Sequence, residues 1–211
     1  MEPLHPIEVR VLGSLLEKDT TTPEYYPLTL RALVQACNQK NSREPVVNYD
    51  DDTVLKALAL LRGKGLATRL SGPGHRVEKF GHQLGDRLNL GRRELALLAV
   101  LMLRGEQPVG LLRDRCERYY DFADLDEMES VLEALAKRAP DPLVVQTRRN
   151  RWTHLLCGAP VLAEEAAPHP TDMEEERRPA NSNGLAERLE ALEQEVAALR
   201  EELSEFRRKF E

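Results

Sequence analysis

Residues 50–80 read DDDTVLKALALLRGKGLATRLSGPGHRVEKF, and this stretch decides the fold. Asp50, Asp51 and Asp52 form an acidic start that suits the positive end of a helix macrodipole, and Val54, Leu58 and Leu61 follow at helical spacing. Gly63 and Gly65 end that helix. Leu66-Ala67-Thr68-Arg69-Leu70 and Val77-Glu78-Lys79-Phe80, joined by the turn Ser71-Gly72-Pro73-Gly74, then predict a two-stranded hairpin. A helix running into such a hairpin is the end of a winged helix, the helix-turn-helix variant with a β wing.

Towards the N-terminus the missing parts appear. Ile7, Val11 and Leu15, with Leu12 and Leu16 beside them, form an apolar stripe of helical period ending near Lys18, where Asp19-Thr20-Thr21-Thr22-Pro23 stops it. Pro27 opens a second predicted helix with Leu30, Leu33, Val34 and Cys37 on one face, since proline suits a first helical turn. Residues 38–45 read as a polar loop.

Towards the C-terminus the same order repeats. Residues 94–103 are a very apolar helix, and residues 108–118 a shorter one opened by proline. Residues 126–138 carry Met128, Leu132 and Leu135 at the spacing of Val54, Leu58 and Leu61. Leu143-Val144-Val145 and Trp152-Thr153-His154-Leu155-Leu156 flank a turn at Arg149-Asn150. The expected fold is therefore mainly α with small β wings: winged-helix domains over 1–87 and 88–158, a disordered linker over 159–183, and a coiled-coil helix over 184–211.

The last segment rests on a heptad repeat, with Leu189, Val196, Leu203 and Phe210 at a and Leu185, Leu192, Leu199 and Phe206 at d. A parallel dimer pairs Arg188 with Glu193, Glu195 with Arg200 and Glu202 with Arg207, all opposite in sign. An antiparallel one sets Glu195 against Glu202 and Arg188 against Lys209. A parallel homodimer is expected, the alternative being that the stripe folds back onto its own domains.

Charge separates along the chain in the same way. Residues 159–211 hold 14 acidic and 7 basic side chains, leaving 22 acidic against 23 basic in residues 1–158. The folded part is nearly neutral, so neither a DNA-clamping surface nor an acidic mimic of DNA is visible at this level. Cys37, Cys116 and Cys157 lack the spacing of a metal site and read as reduced, mostly buried apolar side chains. No run approaches the roughly 20 apolar residues of a membrane span, and residues 1–6 have no basic stretch leading into an apolar one, so a cytoplasmic protein without membrane contact is expected.

Catalytic patterns fail one by one. There is no GxSxG, P-loop, HExxH or glycine-rich strand-to-helix turn. His75 sits beside a wing turn and His154 alternates with apolar residues in a strand, so neither is read as catalytic. Asp50 to Asp52 are a helix start rather than a metal site. No enzyme, cofactor or metal is expected.

The third helix of each domain is where a winged helix would read DNA. With its apolar face buried, the first presents Asp52, Lys56, Ala59, Leu60 and Gly63; the second presents Asp126, Ser130, Glu133, Ala134 and Lys137. Major-groove readers project Arg, Lys, Asn or Gln, and these helices project mostly acid or methyl groups. Leu55, Ala59 and Leu60 are instead expected to form an exposed apolar strip for a protein partner. Two places could meet phosphate: the loop with Asn38, Gln39, Lys40 and Arg43, and the wings, with Arg69, Arg76 and Lys79 in the first and Arg148, Arg149 and Arg151 in the second.

Several ordered motifs carry a family likeness. Residues 4–13 (LHPIEVRVLG), Leu16-Glu17-Lys18, Tyr25-Tyr26-Pro27-Leu28-Thr29, Ala36-Cys37-Asn38-Gln39-Lys40 and Arg43-Glu44-Pro45-Val46 resemble the YceH family of bacterial proteins. Gly91-Arg92-Arg93-Glu94-Leu95-Ala96, Phe122-Ala123-Asp124-Leu125 and His154-Leu155-Leu156-Cys157-Gly158 resemble its second half. The resemblance spans about residues 4–158 and implies a tandem winged-helix fold; it implies no activity. The second wing looks shorter than the family's usual basic wing, which would reduce any contact made there. The function expected is a dimeric, non-enzymatic protein-interaction scaffold or regulator. The alternative is a DNA-binding transcriptional regulator contacting phosphate through the wings and residues 38–43.

Overall fold

The computed structural model describes residues 2–71, 77–147 and 150–158, which lie within one compact unit extending to Pro160. The linker over 159–183 and the coiled coil over 184–211, with Leu185, Leu189, Leu192, Val196, Leu199, Leu203, Phe206 and Phe210, lie outside the described residues.

The described chain is helical with small antiparallel sheets, and one order of elements occurs twice. The first run is α1 (Pro6–Thr21), β1 (Leu28–Thr29), α2 (Leu30–Cys37), α3 (Asp51–Gly63), β2 (Ala67–Leu70) and β3 (Lys79–His82). After the short α4 (Leu84–Leu88) come α5 (Arg92–Arg104), β4 (Gln107–Pro108), α6 (Val109–Cys116), α7 (Leu125–Ala136), β5 (Val144–Gln146) and β6 (Arg151–His154). Each run builds a three-stranded sheet with its last strand in the middle, β1-β3-β2 and β4-β6-β5. Leu28 pairs with Phe80 and Ala67 with His82; Gln107 pairs with Trp152 and Val144 with His154.

Local chemistry fixes the helix ends. The Asp50 carboxylate accepts the Thr53 N–H at 2.8 Å, which starts α3, and Gly65, at φ 70°, leaves it through a left-handed turn. Asp124 caps α7 in the same way, accepting from Glu127 N–H at 2.7 Å. Helix α1 runs past its expected end near Lys18 to Thr21, and the hydroxyls of Thr20 and Thr21 bond back to the carbonyls of Leu16 and Glu17.

The structure departs from the sequence reading at Pro27. This proline does not open α2; the short strand β1 intervenes, and Thr29 caps the helix by accepting from Ala32 N–H at 3.3 Å. Strands β1 and β4 have two residues each, too few for an alternation to show. Cys157 is exposed, whereas Cys37 and Cys116 are buried as expected. Residues 155–158 follow the last strand as a turn, which leaves that side chain outside the core.

The core crosses from one run to the other. Helices α1 and α5 make the most extensive helix contact among the described elements, and α1 is buried on all sides over residues 8–17. Gly13 permits the approach: a Cβ there would meet Leu103 Cγ and Met102 Cβ at 3.1 Å. Glu44 N–H donates to the Leu103 carbonyl at 2.8 Å and Leu4 N–H to the Leu156 carbonyl at 2.7 Å, tying the first run to the second at two further points.

Candidate functional site

On α3 the residues Val54, Ala57, Leu58 and Leu61 face inward. This leaves Asp51, Asp52, Leu55, Lys56, Ala59, Leu60, Arg62 and Gly63 exposed. Leu55 is 40% and Leu60 55% exposed, with Ala59 open between them, so the expected apolar strip stands on the surface. Helix α7 buries Met128, Val131, Leu132 and Leu135 and exposes Asp126, Glu129, Ser130, Glu133, Ala134 and Lys137. Its one outward cation of that set, Lys137, lies 2.6 Å from Glu133. Neither face presents the donor array of a groove-reading helix.

Two of the wing cations, Arg69 and Arg151, are engaged within the chain. Arg69 pairs with Glu78 at 2.9 Å. Arg151 pairs with the Glu106 carboxylate at 3.4 Å and donates to its carbonyl at 3.0 Å. Lys79 is half-buried within β3. Arg76, Arg148 and Arg149 lie outside the described residues.

The loop over residues 38–43 is not the open phosphate cradle its composition suggested. Asn38 is locked to the Tyr49 backbone, donating to its carbonyl and accepting its N–H, both at 2.8 Å. Arg43 is buried rather than surface-facing: it donates to the Ala36 carbonyl at 2.8 and 3.1 Å, to the Ser42 carbonyl at 2.9 Å, and to both oxygens of Glu17. Gln39 accepts from Arg43 at 3.1 Å and from Lys18 at 3.5 Å. Of Asn38, Gln39, Lys40 and Arg43, only Lys40 is fully exposed. The physical reason is Glu17, a carboxylate with no exposed side-chain surface, which draws in the nearest guanidinium because an unpaired buried charge is costly.

Glu17 is the centre of a network the sequence reading missed. Arg118, just beyond α6, also donates to it, the Tyr119 hydroxyl lies 3.1 Å away, and Lys18 Nζ is at 3.4 Å. Burial alone would raise the Glu17 pKa, but the Arg43 hydrogen bonds and the charges of Arg43, Lys18 and Arg118 outweigh it and hold the carboxyl below its usual value. Behind the loop, buried Arg10 donates to the Cys37 carbonyl at 3.3 Å and the Pro45 carbonyl at 2.6 Å. One signal is legible: Glu8, Arg10 and Glu17 interrupt the mostly apolar run of residues 7–17.

A second, half-buried polar feature lies at the end of β3. His82 Nε2 is 3.1 Å from the Asp19 carboxylate, and its backbone N–H donates to the Tyr26 hydroxyl at 2.6 Å. His154 Nδ1 has no accessible surface and no hydrogen-bond partner; burial pulls its pKa down to about 4, so the ring is neutral, in keeping with a packing role. Among the described residues no group of histidine, cysteine and carboxylate side chains could hold a metal ion, and no helix is long and apolar enough to cross a membrane.

This chain is similar to bacterial proteins that share most of its length. A UPF0502 protein of Solibacter usitatus is 49% identical over 99% of this chain and 98% of its own. A UPF0502 protein of Opitutus terrae is 47% identical over 93% of this chain and 83% of its own, and one of Pectobacterium carotovorum is 43% identical over 93% and 94%. The profile described as "Protein of unknown function, DUF480" matches residues 4–152. The chain belongs to the DUF480 (UPF0502) family of bacterial proteins.

Proposed function

We propose that this protein is a non-enzymatic interaction scaffold or regulator: two winged-helix modules, fused through α1 and α5, present the outer face of α3 to a protein partner, and the heptad segment brings two chains together. The YceH likeness of its motifs fits the winged-helix architecture in this reading. The observation that carries it is the pair Leu55 and Leu60, exposed at the position where a DNA-reading winged helix would carry hydrogen-bonding groups. Two leucines flanking a small residue suit an amphipathic helix docking its apolar face. The DNA-binding alternative has less support, since Arg69 and Arg151 are each paired with a carboxylate and Arg43 is buried.

A photocrosslinking residue placed at Leu60 in cells tests the reading, with one at exposed Glu129 on α7 as the control. A discrete protein adduct specific to position 60, abolished by Leu55→Glu, is the expected outcome. Leu55→Glu itself should leave the thermal midpoint nearly unchanged, because surface substitutions cost within about 0.5 kcal/mol. Indistinguishable adducts at the two positions would remove α3 as a docking face.

A further inference from the structure

Several cations gather at the joint between the two runs around the buried carboxylate of Glu17. Glu17 is already shared by Arg43, Arg118, Lys18 and the Tyr119 hydroxyl. Arg104, in the last turn of α5, is half-buried beside this group and forms no ion pair with any carboxylate among the described residues; its bond is to the Ser42 hydroxyl oxygen at 2.6 Å. Burial is the largest reason its pKa lies below the ordinary arginine value; the charges of Arg118 and Arg43 add to it, and Tyr119 and Glu17 oppose it. A guanidinium has five N–H donors in a rigid fork. The bond to Ser42 uses Nη2 of this fork.

The Ser42 hydroxyl lies against it, and Arg118, held on Glu17, is near enough for the two guanidinium charges to repel. Arg118 spends Nη2 on Glu17 and Tyr119, and half of its side chain is exposed. The Ser42 hydroxyl accepts from Arg104, which frees its own proton to donate. Ser42 has φ 60°, a left-handed conformation that a non-glycine residue adopts only where its surroundings impose it. The loop is held in place on both sides of the hydroxyl, by Arg43 on the Ser42 carbonyl at 2.9 Å and by Glu44 N–H on the Leu103 carbonyl at 2.8 Å.

We propose that Arg104, Arg118 and Ser42 form a binding site for a phosphate-type oxyanion at the joint between the two runs. Three donors from three segments match a tetrahedral group with several oxygens, and two guanidinium forks supply the charge-assisted bonds that such a group draws. The bound anion neutralises cations gathered around Glu17 and bridges α5 to the first run through Ser42. None of these residues belongs to the α3 strip, so the site stands independently of the docking face. Its phosphate comes either as a free monoester or inorganic ion, or as one phosphate of a nucleic-acid backbone.

Two probes on the full chain separate these sources: inorganic phosphate, titrated by calorimetry against chloride at matched ionic strength, and a short random duplex DNA followed by anisotropy across salt. The variants are Arg104→Ala and Ser42→Ala, the second removing a donor without touching a cation; far-ultraviolet circular dichroism checks that both fold. Saturable phosphate binding at one site per chain, weakened at least tenfold by Arg104→Ala and measurably by Ser42→Ala, supports a free-phosphate ligand. Duplex binding whose salt slope falls by about 0.9 in Arg104→Ala, with no binding of free phosphate, supports a nucleic-acid phosphate. Wild-type protein that binds neither probe, or variants that bind both as wild type does, would overturn the site. Should Arg104→Ala fail to fold, unchanged binding by Ser42→Ala would overturn it equally.

Discussion

Arg118 donates to the Glu17 carboxylate across 101 residues of chain, so a side chain from the second run completes a buried charge in the first. The two runs are thereby joined electrostatically at the place where α1 and α5 join them by packing. Helix α1 is a shared element of both, and its one fully buried carboxylate near the C-terminal end reports on the state of the joint.

That relationship has a pH signature. The folded-state pKa of Glu17 lies below its unfolded value, near 4.3, so its stabilising contribution is complete above that value and is lost as pH falls through the folded pKa. Glu17→Ala leaves Arg43 buried without its partner and is expected to cost about 3–5 kcal/mol at neutral pH. Urea unfolding at pH 7 and pH 3 checks both statements: the difference between wild type and variant should shrink at the lower pH.

The seam between α1 and α5 depends on the missing side chain of Gly13. Alanine is favoured over glycine in a helix by about 1 kcal/mol, but here its Cβ would sit 3.1 Å from Leu103 and Met102. Gly13→Val adds further bulk at that contact and is expected to destabilise by about 1–3 kcal/mol. A midpoint in thermal melting equal to or above wild type would show that the seam yields more readily than its geometry indicates.

His154 acts in a higher pH window than Glu17. Its folded pKa of about 4 lies below the unfolded value near 6.5, so its contribution is complete above 6.5 and is lost as pH falls towards 4. At about 1.4 kcal/mol per pKa unit the loss is bounded near 3 kcal/mol. His154→Phe should flatten the fall in stability between those pH values and leave the steeper acid limb in place, as read from denaturant midpoints across pH.

The proposed self-association through the heptad segment rests on the sequence alone. Val196→Asp places a charge at a central a position and is expected to convert a dimer to a monomer in sedimentation without lowering the thermal midpoint of the remaining chain. A wild-type monomer would remove the dimer altogether, and a variant that stays dimeric would move the contact elsewhere.

The α3 face and the Glu17 joint differ in how far they could be read beforehand. Val54, Leu58 and Leu61 recur at one period, so their burial follows from helix geometry, and the exposure of Leu55, Ala59 and Leu60 follows as the complement. Arg43 could not be placed in that way. Its loop has no period, and its partner Glu17 lies 26 residues earlier on a different element. A basic, polar loop and a buried ion-pair loop have the same composition.

By itself the sequence determined the repeated order of helices and hairpins, the inward and outward faces of α3 and α7, and the absence of a recognisable catalytic pattern. These are local properties, set by periodicity, capping and turn chemistry within a dozen residues. Only the tertiary structure decided that the two runs share one core, that Arg43 is internal, and that Arg104 forms no ion pair with a carboxylate among the described residues. Those outcomes depend on how close α1 and α5 approach at Gly13 and on which charges that approach buries together, and such contacts link positions far apart in the chain.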